Sequence, residues 1–138
     1  MIRLGSLAGY PFEGPRVLGG WSPPHVAAVY AVLCKTSPQR EEFAVIYVGH
    51  SDDLTSEGFP FRHARSAAWI ERAEGKFNLH VCWYEVPGGT RSHRELIAQE
   101  LTAIYHPSCN LEQFDRAWKD EWIRSEEHTT ELQSRLHL

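Results

Sequence analysis

Two apolar runs stand out along the chain, His25 to Cys34 and Phe43 to Val48, and both are rich in β-branched and aromatic residues. The polar stretch from Lys35 to Glu42 separates them, so together they predict an antiparallel hairpin. With Cys34 facing Phe43 across that stretch, Tyr30 falls directly opposite Tyr47 and the two phenols share one face. A slip of one residue would send them to opposite faces. From Phe77 to Val86, Phe77, Leu79, Val81 and Trp83 alternate with Asn78, His80, Cys82 and Tyr84, which predicts a third strand stopped by Pro87-Gly88-Gly89.

The remaining pattern is helical or irregular. Pro60 ahead and Gly75 behind bracket a helix from about Phe61 to Glu74, after a turn at His50 to Leu54. A second helix is expected over His93 to Tyr105, and a third over Leu111 to Trp122, where Leu111, Phe114, Trp118 and Trp122 recur at helical spacing. Glycines and prolines punctuate Met1 to Pro24, which reads as an extended lead-in tied down by Tyr10, Phe12 and Trp21. The expected architecture is a small α/β (α+β) domain over residues 25–123, a three-stranded antiparallel sheet with helices packed on it.

Composition narrows the function classes. At 138 residues the chain has room for one core without metal or disulfide staples. Cys34, Cys82 and Cys109 are odd in number and form no CxxC pair, which argues for a reducing compartment. With no charged-then-apolar leader and no run of membrane length, a soluble cytoplasmic protein is expected. The net charge of −4 is a poor match for nonspecific nucleic-acid binding through a wide basic surface, so any nucleic-acid contact is expected to be local. Residues Arg124 to Leu138 resemble the conceptual translation of a sequencing-library adapter, with Thr130 as a departure, and are set aside as a non-native tail. They hold two of the 14 basic and three of the 18 acidic residues, so the body stays acidic without them.

Several side chains suggest chemistry. On the second helix Leu96, Ile97, Leu101 and Ile104 define an apolar stripe, and Glu100 falls inside it. A buried carboxylate is costly unless paired or metal-bound, so Glu100 is the candidate metal ligand; alternatively it reaches solvent along its stem. Glu95 falls outward, and Ser92-x-x-Glu95 fits a reciprocal capping box. Asn110-x-x-Gln113 fits a cap as well. Arg62, Arg65, Trp69 and Arg72 form a stripe that could bind a phosphate backbone, or else a solvated face paired with Glu71 and Glu74. His80 and Cys82 share a strand face while His50, His63 and Cys109 are dispersed, so zinc spacing is absent.

Ala28-Val29-Tyr30, then Tyr47-Val48-Gly49 followed by Ser51-Asp52-Asp53-Leu54, then Tyr105-His106-Pro107-Ser108-Cys109-Asn110 form an ordered set. Over Val26 to Gln113 that set resembles the GIY-YIG nucleases, with Ala28 in place of the usual glycine. The resemblance implies a metal-dependent endonuclease cutting DNA, with one divalent cation, usually Mg2+, held by a helix glutamate. It implies a catalytic group of Tyr30, Tyr47 and Asn110, with Tyr30 acting in the general base and Tyr47 orienting it; Arg62 or Arg65 would stand in for the family's arginine, and His63 and Glu100, the latter assigned from the helix stripe, complete the candidate catalytic set. Gly49, His50 and Ser51, with Trp69 and Arg72, would line the substrate. Two positions depart from the family: Glu57 stands where its arginine is expected, and Ala98 where its glutamate is expected. The rival expectation is a lapsed member that binds nucleic acid or a protein partner without cutting. A purely structural adaptor would leave an inward Glu100 unexplained.

Overall fold

The computed structural model describes residues 1–35, 39 and 42–111, and the backbone of Trp122–Arg124. The expected hairpin forms from β3 (Ala28–Lys35) and β4 (Glu42–Ser51), and β5 (Leu79–Tyr84) pairs with the other side of β3. All these pairings are antiparallel. The sheet is wider than the three strands expected. The glycine-rich lead-in supplies β1 (Ile2–Leu4) and β2 (Tyr10–Val17), and the sheet order is β1, β2, β5, β3, β4, with the short β6 (Trp122–Arg124) beyond β4.

The lead-in escapes sequence reading because glycine and proline weaken any strand signal. In the fold, Glu13 pairs with Trp83 and Arg16 with Val81, and the irregularity between them absorbs Gly14, whose φ is +101°. A Cβ at Gly14 would stand 2.9 Å from the Val81 carbonyl oxygen. Ile2, Leu4, Phe12 and Leu18 are fully buried, so the lead-in is anchored in the core through these side chains.

Among the described residues two α-helices cover the sheet. α1 (Ser66–Ala73) begins later than expected, because residues 57–65 form a chain of turns. Gly58 sits at φ +91° with its carbonyl accepting from the Arg62 N–H at 2.6 Å, and Ser66 Oγ bonds the carbonyls of Phe61 and His63. β5 likewise starts at Leu79, leaving Phe77 92% exposed. α2 (Arg91–Tyr105) is capped by Thr90, whose hydroxyl accepts from the His93 N–H at 3.2 Å. The Ser92–Glu95 capping box is therefore not formed. The helix expected over Leu111 to Trp122 falls mostly outside the described residues. Of the tail set aside above, Arg124 ends β6 opposite Glu42 and the rest lies outside them too.

One face of β3 and β4 carries Val29, Ala31, Leu33, Phe43 and Val45 against α2 and Phe12. The other carries Val32, Cys34, Ala44 and Ile46 against Trp69 of α1. The three cysteines are buried and none is in a disulfide. No helix among the described residues is long and apolar enough to cross a membrane.

Candidate active site

The hairpin register brings the two tyrosines together by an unexpected route. Cys34 pairs with Ala44, one residue away from the expected partner, and continuing that ladder would place Tyr47 opposite Ala31 and turn its ring to the wrong face. A bulge between Val32 and Leu33 inserts Ile46, after which Val32 pairs with Tyr47 and Tyr30 with Gly49. Ile46 and Tyr47 consequently pack on the same side. The tyrosines end as diagonal neighbours with ring centroids 6.0 Å apart, not as a direct pair. Gly49 makes room for this: a Cβ there would lie 2.6 Å from the Tyr30 phenol oxygen and 3.0 Å from the Tyr47 ring.

Tyr30 is the centre of a hydrogen-bonded row. Its hydroxyl lies 2.8 Å from His63 Nε2 and 3.4 Å from Glu57 Oε1, and His63 Nε2 is 3.9 Å from the same carboxylate oxygen. The backbone N–H of Arg65 donates to His63 Nδ1 at 2.9 Å. Nδ1 therefore carries no proton, and a neutral His63 must hold it on Nε2. His63 then donates to Tyr30, and Tyr30 donates to Glu57. Ser51 Oγ donates to the other carboxylate oxygen at 2.8 Å. Burial pushes the His63 pKa down, with Arg65 acting the same way and Glu57 opposing, which suits the neutral ring. Burial pushes the Tyr30 phenol far above its ordinary value, and Tyr47 and Glu57 add to that. Tyr47 is raised by burial too, while the Tyr30 hydrogen bond and the Arg65 guanidinium pull it back.

These groups open on a cleft of about 770 Å³ beside the outer edge of β4. Tyr30, Tyr47, Gly49, His50, His63 and Asn110, all candidates from the sequence, line it. Beyond β6, a side chain takes the place of a neighbouring strand at the edge of β4. The Asn110 carboxamide accepts from the Val48 N–H and donates to the Val48 carbonyl, both at 2.8 Å, as a neighbouring strand would. Only a primary amide offers both donor and acceptor in that plane.

Glu100 does not lie on a buried stripe as expected. The buried side of α2 runs through Arg94, Ile97, Ala98, Leu101, Ile104 and Tyr105, with Leu96 63% exposed. Including Leu96 rotated the assumed stripe, so Glu100 is in fact exposed and lies outside the cleft wall. It sits beside Tyr10, whose phenol is pushed up to about 12 by burial and by Glu100. Glu95 faces the cleft instead, one turn before Ala98, and pairs with Arg91 at 3.3 Å. Glu57 is the second carboxylate on the wall.

The arginine stripe does not form either. Trp69 is fully buried under His63, with ring centroids 4.6 Å apart, and Arg62 is exposed on the turns before the helix. Neither Arg62, Arg65 nor Arg72 lines the cleft, although Arg65 donates to the Leu111 carbonyl at 2.6 Å and lies near Tyr47. Ser51 is buried behind Glu57. Asp52 reaches the other way, pairing with the buried Arg94 of α2. Glu95 was findable, because counting back one turn from Ala98 lands on it. Nothing local announced that Glu57 would meet Tyr30. Comparison of the chain with protein-family models, with curated proteins and with solved structures finds no match.

Proposed function

We propose that the chain is a GIY-YIG-like, metal-dependent endonuclease that hydrolyses DNA phosphodiester bonds in the cleft beside Tyr30 and Tyr47. The observation that carries this reading is the row His63–Tyr30–Glu57, opening on a cleft whose other wall presents Glu95. Magnesium takes oxygen ligands and keeps several waters, so one or two carboxylates suffice for it. Glu95, with its side chain 43% exposed, fits that need, although the described residues contain no cluster of three ligands able to cage an ion. A divalent cation held there would supply charge stabilisation at the phosphoryl oxygens and ease deprotonation of water.

The protein's own part is proton transfer and positioning. A free tyrosinate at position 30 is disfavoured by burial. A relay avoids it: the attacking water gives a proton to Tyr30 Oη while Tyr30 passes its own proton to Glu57 Oε1. The water oxygen bonds to phosphorus, the bond to the leaving oxygen breaks, and that oxygen takes a proton from solvent. His63 holds the Tyr30 oxygen in place, and Tyr47, flanked by Arg65, lies beside the path of the water.

A second reading is favoured by the cleft lining, which among the described residues holds no lysine or arginine and two carboxylates, Glu57 and Glu95. That balance suits a lapsed member that binds without cutting. Incubation with linear, nicked and branched DNAs, with and without magnesium, separates the two. Magnesium-dependent cleavage that is lost in Tyr30→Phe supports the enzyme, and binding without cleavage of any substrate supports the lapsed domain.

A further inference from the structure

Next to the cleft, the sheet carries an aromatic shelf with a different character. Trp83 is the cross-strand partner of Tyr30 on β5, so it stands on the same face, about 5 Å away along the sheet. Trp21 packs against it with ring centroids 5.1 Å apart at 38°, and against Phe59 at 5.1 Å edge to face. Phe59 in turn meets Tyr30 at 5.0 Å. A continuous chain of rings therefore links the shelf to the catalytic phenol.

Both indoles are only partly buried, and they form one side of a groove of about 540 Å³ with Arg16, Val17, Gly20 and Ser22. Val17 is 53% exposed, and a Cβ at Gly20 would meet nothing within 4 Å, so the groove is open. Arg16 is exposed and makes no side-chain hydrogen bond or ion pair among the described residues. Partly exposed indole faces beside a free guanidinium are what an unpaired nucleotide requires, the base stacking on the rings and its phosphate meeting the cation. A paired base inside a duplex offers no such face.

We infer that the Trp21–Trp83 groove is a subsite for an unpaired nucleobase of a DNA strand whose neighbouring phosphate lies at Tyr30. Its placement rests on the phosphodiester reading of the adjoining cleft, and it narrows the substrate class to single strands, flaps or frayed ends. The body is acidic overall, and this groove offers a local cation with stacking surface, which answers how such a chain could hold nucleic acid.

The test measures binding of the full chain to a labelled oligothymidylate and to a blunt duplex, by fluorescence anisotropy in EDTA so that no cutting occurs. The single strand is expected to bind more tightly and to quench tryptophan fluorescence. Trp83→Ala should weaken it about 5- to 100-fold, and Trp83→Phe should retain most of the affinity. Arg16→Gln should lower the salt dependence by roughly 0.7 in log–log slope, one phosphate contact on a single strand. If Trp83→Ala fails to fold, Ser22→Glu places a carboxylate at the exposed rim and should weaken single-strand binding without touching the core. Equal or tighter duplex binding, unchanged affinity in folded Trp83→Ala or in Ser22→Glu, or binding of a proline-rich peptide but no single strand would overturn the subsite. Single-strand binding through these residues without cleavage of any DNA would remove the nuclease and leave the subsite standing. Cleavage without single-strand preference would do the reverse.

Discussion

Tyr30 lies directly across the sheet from Gly49, and the space a Gly49 side chain would fill is occupied by the Tyr30 phenol, 2.6 Å from the ideal Cβ position. The glycine is required by this close approach of a ring carbon and its oxygen, and no unusual backbone angle is needed to explain it. Gly49→Ala should cost about 1–3 kcal/mol through overpacking and shift the phenol away from His63. Thermal unfolding should show a fall in Tm of several degrees. An unchanged Tm would mean the ring has free space to retreat into.

The His63–Tyr30 pair predicts how stability follows pH. Burial holds the folded His63 pKa below its unfolded value, so the unfolded chain binds the extra proton first and stability falls as pH drops below about 6.5. For Tyr30 the folded pKa is raised, so stability is present below the unfolded value near 10 and declines as pH rises beyond it. His63→Gln should flatten the acid limb and Tyr30→Phe the alkaline one in chemical denaturation across pH. Nitrogen chemical shifts of His63 should report the proton on Nε2 at neutral pH.

Glu95 and Glu100 make opposite predictions although they lie on one helix. Glu95→Gln should reduce magnesium-dependent cleavage by about two orders of magnitude with the fold intact. Glu100→Gln should leave cleavage alone and let the Tyr10 phenol titrate nearer its ordinary value, visible in an ultraviolet titration. Loss of cleavage in the second variant alone would return the metal to Glu100.

Glu57 decides between relay and lapse. Glu57→Gln keeps an oxygen for Tyr30 but removes the proton acceptor, so cleavage should fall about 10²- to 10⁴-fold in single-turnover rates. If the parent cuts nothing, Glu57→Arg should instead raise DNA affinity by removing a carboxylate from the phosphate path. No change in either variant would detach Glu57 from the site altogether.

Asn110 acts on the strand edge. Asn110→Asp leaves the Val48 carbonyl without its donor and sets a carboxylate against it, which should cost about 1–3 kcal/mol in denaturant unfolding. Equal stability would show that the open edge of β4 needs no partner.

The sequence by itself determined the hairpin runs, β5 from Leu79 onward and α2, because each is a continuous stretch whose period reports one buried face. It also placed Tyr30, Tyr47, His63 and Asn110 among the functional candidates by residue type and order, and all four line one cleft. Tertiary structure decided the rest. Tyr47 faces Tyr30 because a one-residue offset at the Cys34–Ala44 end is compensated by the extra residue of a bulge, and strand periodicity is blind to an insertion paid for elsewhere in the ladder. Exposure of Leu96 turned α2 so that Glu95, not Glu100, reaches the cleft; a helical stripe is an average over residues, and one exposed leucine rotates it. β2 joins the sheet because β5 offers it a partner, a contact of long sequence separation that no local pattern of glycines and prolines encodes, and β1 then pairs with β2.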